Sequence, residues 1–330
     1  MTTLWDTTGT DVVKALAAER RQAGSVSSGL ALTLVVVVDE KRVEQAEQAS
    51  TRAAAQHPCR VLVVVRRRPD APEPRLDAEV LIGGRLGPGE SVVMRMYGRL
   101  ALHAESVVLP LLAPDAPVVT WWFGEPPTMV AHDPLGVIAD RRVTDAVQAA
   151  DPVAALRGRA ADYAPGDTDL AWSRTTLWRS LCASAFDSVE GSATAVRVAG
   201  EASNPSRPLL AGWLASRLGV PVEQVDSAGP GVTGVEIELG AERLAIRRTD
   251  GRTAVLSRTD QPDRSLPLPR RELGDLLAEE LRRLDADETY AEALGEATGT
   301  VGLSDRPGVR THVWQDPAVA SDPDPAITTS

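Results

Sequence analysis

Aliphatic runs and a helical stripe of small residues dominate the first quarter of the chain. Leu30–Val38 and Arg60–Val65 are almost continuously apolar, which is the pattern of strands buried on both faces. Between them, Lys41–Gln56 carries apolar residues at helical spacing, and Pro58 follows where a helix usually ends. The stripe consists of Val43, Ala46, Ala49, Ala53 and Ala54. The segment predicts a βαβ unit with a right-handed crossover and a helix packed closely on its sheet.

The pattern then changes to alternation of apolar and other residues. Two alternating segments, around Val80 and around Met94, flank the glycine-rich stretch Gly83–Glu90, and this arrangement predicts an antiparallel hairpin. The remaining elements predicted before residue 150 are a helix at Glu105–Leu112 and strands at Val118–Phe123 and Gly136–Ala139. Residues 1–150 are therefore predicted to form a Rossmann-like α/β domain with a mixed sheet.

A second domain, either α/β or α+β, is predicted over residues 151–298. Its clearest helix is Leu170–Val189, with Asp167 or Thr168 as N-cap. A second helix, Pro205–Leu218, has Asn204 as its N-cap and a glycine just past its end. The other predicted elements are helices at Asp151–Ala161, Pro269–Leu284 and Glu288–Ala297, and strands at Ala193–Ala199, Val232–Leu239, Arg243–Arg248 and Thr253–Ser257.

Charge and composition narrow the range of partners. A formal net charge of -11 disfavours binding to the phosphates of nucleic acid, which needs clustered basic residues. No apolar run approaches the roughly 20 residues that span a bilayer, so no membrane partner is expected. The segment Met1–Asp11 is polar and acidic, unlike a signal peptide, and a cytoplasmic location is expected. Gly299–Ser330 is rich in Asp, Pro, Ser and Thr, which predicts a disordered tail.

The sequence offers no cofactor or catalytic motif. A dinucleotide would bind at the first βα turn, but that turn reads Asp39-Glu40-Lys41 and lacks the Gly-x-Gly-x-x-Gly pattern, so no NADP and no other cofactor is expected. None of the four histidines lies in a recognised catalytic pattern. Cys59 and Cys182 stand in unrelated contexts and are expected to be buried thiols, without a disulfide or a metal site.

Seven residues stand out as candidate contacts for a partner protein or an anion. They are Trp121, Trp122, Arg141, Arg142, Arg174, Trp178 and Arg179. Arg174 falls on the apolar stripe of the predicted helix 170–189, so its guanidinium requires a partner. That partner is either an internal carboxylate, Asp140 or Asp145, or an external anion or protein.

The two adjacent tryptophans end the predicted strand Val118–Phe123. Neighbouring residues of a strand face opposite ways, and binding surfaces gather at strand ends in α/β sheets. One indole is therefore expected in the core and the other, at least partly, on a surface used by the partner. The alternative is that both rings are buried against helices.

Several longer segments resemble a known family. They are Leu4–Thr7, His57–Val64, Val108–Trp122, Ala139–Asp145 and Thr168–Arg179, and in this order they are similar to the landmarks of the glucose-6-phosphate dehydrogenase assembly proteins, the OpcA family. The resemblance covers roughly Leu4–Asp187. It implies a non-catalytic accessory protein that binds the oligomeric dehydrogenase of the oxidative pentose phosphate pathway and assembles or allosterically activates it.

The residues also leave other functions open. A two-domain α/β protein with Arg141, Arg142, Arg174 and Arg179 is compatible with an enzyme or sensor of central carbon metabolism that binds a sugar phosphate. A scaffold for a different partner is a third hypothesis. Turnover of glucose 6-phosphate by the protein alone would favour the enzyme, whereas capture of the dehydrogenase would favour the accessory protein.

Overall fold

Two β-sheets organise the chain in the computed structural model, which describes residues 1–22, 30–83, 89–187 and 191–308. The strands of the first sheet are β1 Thr2–Leu4, β2 Leu32–Val38, β3 Cys59–Arg67, β4 Arg75–Ile82, β5 Glu90–Tyr97, β6 Val118–Phe123, β7 Arg141–Thr144 and β8 Asp167–Asp169. Their order is β1-β4-β5-β3-β2-β6-β7-β8. The strands from β5 to β8 in this order run parallel, whereas β4 and β1 are antiparallel additions at one edge.

The parallel strands have the order of a doubly wound dinucleotide-binding sheet, in which the first strand lies at the centre and the chain winds outward in both directions. This confirms the predicted Rossmann-like mixed sheet. The parallel pair β2–β3 also confirms the βαβ unit, and the antiparallel pair β4–β5 confirms the hairpin. Residues 84–88 of the predicted hairpin turn lie outside the described residues.

Helices cover both faces of the first sheet. The helices in chain order are α1 Gly9–Gln22, α2 Val43–Ala54, α3 Arg99–Leu102, α4 Glu105–Val108, α5 Pro134–Val137, α6 Pro152–Asp162, α7 Leu170–Ser173, α8 Thr176–Phe186, α9 Ser206–Leu218, α10 Leu273–Arg282 and α11 Glu288–Thr298. Helices α2 and α10 bury one face of the sheet, and α1 with α3–α5 buries the other. The alanine stripe of α2 is buried as predicted.

Two predicted elements differ from the structure. The strand expected at Gly136–Ala139 is the end of helix α5, because Asp133 caps that helix and Pro134 occupies its first position; the strand follows at β7. The single helix expected at Leu170–Val189 is divided between α7 and α8. Its interruption includes Thr175, whose N–H and hydroxyl both donate to the Trp172 carbonyl, at 2.8 and 2.7 Å. The N-cap is Asp169, not either of the two residues predicted.

The second sheet comprises β9 Ala195–Gly200, β10 Val222–Asp226, β11 Val232–Leu239, β12 Glu242–Arg248, β13 Thr253–Arg258 and β14 Gln261–Pro267. Its order is β10-β9-β11-β12-β13-β14, with one parallel pair, β9–β10, joined through α9. Helices α8 and α9 bury one face. The predicted meander is confirmed and continues into β14. The sequence analysis missed β10 and β14 because both are largely exposed and lack apolar alternation.

The first sheet uses residues from well beyond position 150, where the first domain was predicted to end. Strand β8 is its last strand, and Leu276, Leu277 and Leu281 of α10 belong to the core on the α2 face. The approach of α10 to α2 is close at Gly274, where a Cβ atom would lie 2.9 Å from the Ala49 carbonyl oxygen. A glycine at that position therefore lets α10 settle against the N-terminal layer.

The segment predicted as a disordered tail begins with ordered contacts. Leu303 is buried, and Arg306 donates to the carbonyls of Ala160, Ala161 and Tyr163 at 2.9–3.0 Å. The prediction is thus wrong for residues 300–308, and residues 309–330, including Trp314, lie outside the described residues. Within the described ranges, no helix is both long and apolar enough to cross a bilayer.

Candidate functional site

The two tryptophans of β6 are both internal. Trp121 is 0% exposed and Trp122 is 1% exposed. They do face opposite ways, as predicted: Trp121 packs in the core beneath α2 and α10, where its ring centroid lies 4.9 Å from that of Phe123, and Trp122 packs in the opposite core. The expectation that one indole is exposed is wrong, because helices cover both faces of the sheet at this central strand.

Arg141 and Arg142 are also buried, in separate internal networks. Arg141 donates to Glu280 of α10 at 2.5 and 3.2 Å and to the Asp285 carbonyl at 2.8 Å. Arg142 pairs with Asp167 and donates to the carbonyls of Ala139 and Pro165, at 2.6 Å each. Each guanidinium is 2% exposed and is engaged by protein acceptors, so neither is available to an external anion.

Arg174 forms the internal ion pair that was one of its two predicted roles. Its terminal nitrogens donate to both carboxylate oxygens of Asp145, at 2.6 and 2.9 Å, whereas Asp140 accepts from the Val118 N–H. Burial acts to lower the pKa of Arg174, but Asp145 outweighs it and the net shift is upward. The side chain remains 27% exposed and, in addition to this pair, lines a cavity.

Arg179 and Trp178 lie on different sides of α8. The Arg179 guanidinium stacks 3.6 Å from the ring centroid of Trp172 and donates to the hydroxyls of Thr175 and Thr176. Burial lowers the pKa of Arg179. Trp178 is 2% exposed and belongs to the core of the second sheet, but one part of it reaches the same cavity as Arg174.

The cavity has a volume of about 220 Å³ and lies at the junction of the two sheets. Its walls come from the starts of α8 and α9, the loop before β11, the end of β12 and the loop before α10. Among the described residues, four arginines line it, Arg174, Arg248, Arg270 and Arg271, and no acidic side chain does.

Two of these four arginines have no ion-pair partner among the described residues. Arg174 is paired with Asp145, and Arg271 is paired with Glu279. No carboxylate lies within ion-pair distance of Arg248 or Arg270 in the described ranges. The Nε and Nη1 atoms of Arg248 are buried without a hydrogen-bond acceptor, and its guanidinium carbon lies 5.3 Å from the ring centroid of Trp178.

The electrostatic environment of Arg248 is unfavourable for its charge. Burial, followed by the repulsion of Arg270, lowers the pKa of Arg248 to about 10. Asp250 acts in the opposite direction, but one of its carboxylate oxygens accepts from the backbone N–H groups of Arg252 and Thr253 at 2.6 and 2.7 Å. The site therefore concentrates positive charge that the described protein groups leave incompletely neutralised.

Asn204 adds a neutral donor to the cavity. Its Oδ1 accepts from the Ser206 N–H at 3.0 Å, so its Nδ2 points away from that hydrogen bond. A Cβ atom built on Gly231 would lie 3.6 Å from Asn204 Nδ2 and 3.7 Å from Arg270 Nη1. The amide and the guanidinium thus lie near the same backbone position, where they present N–H donors together.

The dinucleotide position of the first sheet is lined by the side chains of Asp39 and Arg42. The strand order reverses between β2 and β6, which is where a nucleotide binds in sheets of this order. Asp39 accepts from the Lys41 N–H at 3.0 Å. Arg42 Nε lies 3.4 Å from Asp39 Oδ2, and the guanidinium carbon of Arg42 lies 5.9 Å from the Phe123 ring centroid. A Cβ atom on Gly124 would lie 3.1 Å from Arg42 Nη1. A carboxylate and a guanidinium thus lie next to the turn, and both remain partly exposed.

Both cysteines are free and buried. Burial raises the pKa of each thiol to about 12, so the reactive thiolate is scarce at neutral pH. Among the described residues, no group of three or more His, Cys, Asp or Glu side chains is arranged to hold a metal ion.

The sequence analysis missed Arg248 and Arg270 although one signal was present. In β12 the side chains of Leu244 and Ile246 face the core, and strand alternation places Arg248 on that same face. The argument that singled out Arg174, an arginine on an apolar stripe, applies to Arg248 as well. Arg270 carries no such signal, because it lies in a loop whose path only the fold determines.

These features define an α/β protein with a Rossmann-like layer, a first βα turn without a dinucleotide-binding motif, and an arginine-lined cavity at the junction with a second sheet. Family models of the glucose-6-phosphate dehydrogenase subunit match its sequence twice: the N-terminal domain matches residues 50–161, and the C-terminal domain matches residues 165–294. The chain belongs to this family, the OpcA family that its motifs resemble.

Solved structures provide more distant likenesses. The 3-ketoreductase KijD10 from Actinomadura kijaniata, in complex with NADP, is 14% identical with a TM-score of 0.44, and the match covers 82% of this chain and 95% of the reductase. A levoglucosan dehydrogenase in complex with NADH and L-sorbose is 11% identical with a TM-score of 0.39, over 83% and 92% of the two chains. At these values neither likeness bears on substrate or cofactor. No curated protein gives a significant sequence match.

Proposed function

We propose that this protein is a non-catalytic accessory subunit that binds an oligomeric glucose-6-phosphate dehydrogenase and raises its activity allosterically. The observation that carries the proposal is family membership through both halves of the chain, residues 50–161 and 165–294. The proposal places the protein in the cytoplasm with its partner, at the first step of the oxidative pentose phosphate pathway.

The first βα turn supports the absence of hydride transfer by the protein itself. A pyrophosphate would need backbone N–H groups and the positive end of a helix at this turn. Here the Asp39 carboxylate already accepts from the Lys41 N–H, and Glu40 pairs with Arg95 at 3.0 Å. These contacts engage the Lys41 N–H, and the turn lacks the glycines that let a pyrophosphate approach the backbone.

Four of the seven residues that sequence analysis nominated as partner contacts are buried within the protein. Trp121, Trp122, Arg141 and Arg142 are at most 2% exposed, so they act on binding only through the stability of the fold. Arg174 and Arg179 retain some exposed area. Their role as direct contacts with the dehydrogenase remains a proposal.

An activator must bind the active state of its partner more tightly than the inactive state, since equal affinities shift no equilibrium. Couplings between sites are ordinarily about 5- to 150-fold. The same coupling is reciprocal, so glucose 6-phosphate bound to the dehydrogenase should tighten its association with the accessory subunit.

The test uses the full chain and the dehydrogenase of the same organism. NADPH formation is followed at subsaturating glucose 6-phosphate while the accessory subunit is titrated, and association is measured in parallel by size-exclusion chromatography with light scattering. We expect a stable complex, a rate increase of about five-fold or more, and no NADPH formation by the accessory subunit alone. A correctly folded sample that neither associates nor changes the rate would refute the proposal, and turnover by the isolated protein would replace it with an enzyme function.

A further inference from the structure

We propose that the cavity between the two sheets binds a small phosphate monoester, with the phosphate held by Arg248, Arg270 and Asn204 and the ester carbon skeleton against Pro230 and Pro269. This ligand site is separate from the nucleotide crevice of the first sheet. The inference goes beyond the proposed function and does not depend on the dehydrogenase.

The first argument is the balance of charge. In the part of the chain that the structure describes, four arginines line the cavity and no acidic side chain does. Internal carboxylates account for Arg174 and Arg271, which leaves the guanidiniums of Arg248 and Arg270 without an ion pair in the described part of the chain. A dianion placed between them would supply the missing countercharge, and guanidinium forks match phosphate oxygens geometrically.

The second argument rests on N–H donors that have no acceptor within the protein. Arg248 Nε and Nη1 are buried without an acceptor, which leaves the charge of this guanidinium poorly solvated, and Nη2 is the nitrogen through which Arg248 meets the phosphate. Asn204 Nδ2 lies near the same backbone position as Arg270. A phosphate offers three acceptor oxygens, enough for donors that approach from β12, the loop before α9 and the loop before α10.

The third argument is the size and remaining chemistry of the cavity. A volume of about 220 Å³ lies below the range of pockets for drug-sized ligands, about 300–1,000 Å³, so a small metabolite is the appropriate class. Pro230 and Pro269, both exposed, provide apolar wall, against which the carbon skeleton of the ester packs. Inorganic phosphate shares the anionic group but leaves this wall uncovered.

The unpaired guanidinium of Arg248 also distinguishes a binding role from a structural role. If Arg248 stabilised the fold, its removal would lower the melting temperature. Its buried donors lack acceptors, and Arg270 repels it, so its removal relieves an unfavourable interaction, as is common for binding-site residues. We expect the Arg248→Met variant to melt at or above the temperature of the parent protein while it loses ligand affinity.

The experiment is isothermal titration calorimetry of the full chain with three probes: glucose 6-phosphate, inorganic phosphate and glucose. We expect saturable binding of glucose 6-phosphate, weaker binding of phosphate at the same site, shown by competition, and no binding of glucose. If phosphate binds as tightly as glucose 6-phosphate, the cavity is an inorganic phosphate site, and the monoester part of the proposal is overturned.

The variants are Arg248→Met and Arg270→Gln, with Arg247→Gln as a matched control. Arg247 neighbours Arg248 in β12 but pairs with Glu236 at 2.6 Å on the opposite face of the sheet. We expect each cavity variant to weaken glucose 6-phosphate binding at least about ten-fold, since charge-assisted hydrogen bonds are lost, and the control to leave it unchanged. The proposal is overturned if the parent shows no saturable binding up to about 10 mM, above the usual range of metabolite affinities. Unchanged affinity of both cavity variants would overturn it equally.

Discussion

The buried ion pair between Arg141 and Glu280 provides the sharpest stability prediction. Arg141 lies in β7 and Glu280 in α10, and both side chains are at most 5% exposed. An Arg141→Met substitution leaves the Glu280 carboxylate buried with only the Ser173 hydroxyl, at 2.6 Å, as a hydrogen-bond donor. It also leaves the Asp285 carbonyl without its donor. An uncompensated buried charge of this kind lowers the free energy of unfolding by about 3–5 kcal/mol.

That loss translates into a large change in melting temperature. In domains of 150–250 residues each kcal/mol shifts the melting temperature by about 2–4 °C, so a fall on the order of 10 °C is expected. Differential scanning calorimetry of the purified variants measures it directly. A second variant, Arg141→Met combined with Glu280→Gln, removes both charges and should recover a substantial part of the loss, because no buried charge remains unpaired.

Arg52→Met is the matched control, since Arg52 of α2 also forms ion pairs with α10. Its partners are Glu272 and Asp275, at 2.8 and 2.7 Å, but the arginine side chain is 49% exposed. Water solvates whichever charge remains, and the expected effect is therefore much smaller. The reasoning is refuted if Arg141→Met melts like the control, or if the double variant is no more stable than the single one.

Three further predictions follow from burial. The substitutions Trp121→Ala and Trp122→Ala should each lower the free energy of unfolding by about 3–5 kcal/mol, because each leaves a cavity in a separate core. Urea unfolding measures this loss, and a variant that unfolds like the parent would contradict the assignment of that ring to the core. Both cysteines should resist alkylation by iodoacetamide at pH 8 until guanidinium is added, and rapid labelling of the native protein would show that a thiol is accessible. Deletion of residues 299–330 should lower the melting temperature more than deletion of residues 309–330, since only the longer deletion removes the buried Leu303; equal melting temperatures would show that Leu303 contributes little.

Local pattern predicted the elements whose burial follows a simple period. Strands β2, β3 and β6 are apolar on both faces, which is the pattern that predicted them. The end of helix α9 was predicted from Gly219, which adopts the left-handed conformation that favours glycine, φ 67°. Exposed strands such as β14 carry no such pattern, because pairing along their edges, and not burial of side chains, holds them in the sheet.

The candidate site was predictable only in part because it is assembled from distant segments. Arg174 and Trp178 stand on one helical stripe and could be singled out, and both line the cavity. Arg141 was also singled out from the sequence, but its partner, Glu280, lies 139 positions further along the chain. Whether a buried arginine faces a carboxylate or an open cavity depends on tertiary contacts that a single sequence does not reveal.

The return of α10 to the first sheet affects how the chain folds during synthesis. The aliphatic strands β2 and β3 are complete once residue 67 has left the ribosome, but the helix that covers part of their α2 face begins at residue 273. At about 5–20 residues per second, translation takes about 10–40 s to reach it. Through that interval the nascent chain presents apolar surface that only its own later part can cover. The N-terminal layer therefore reaches its final packing only after most of the protein has been made.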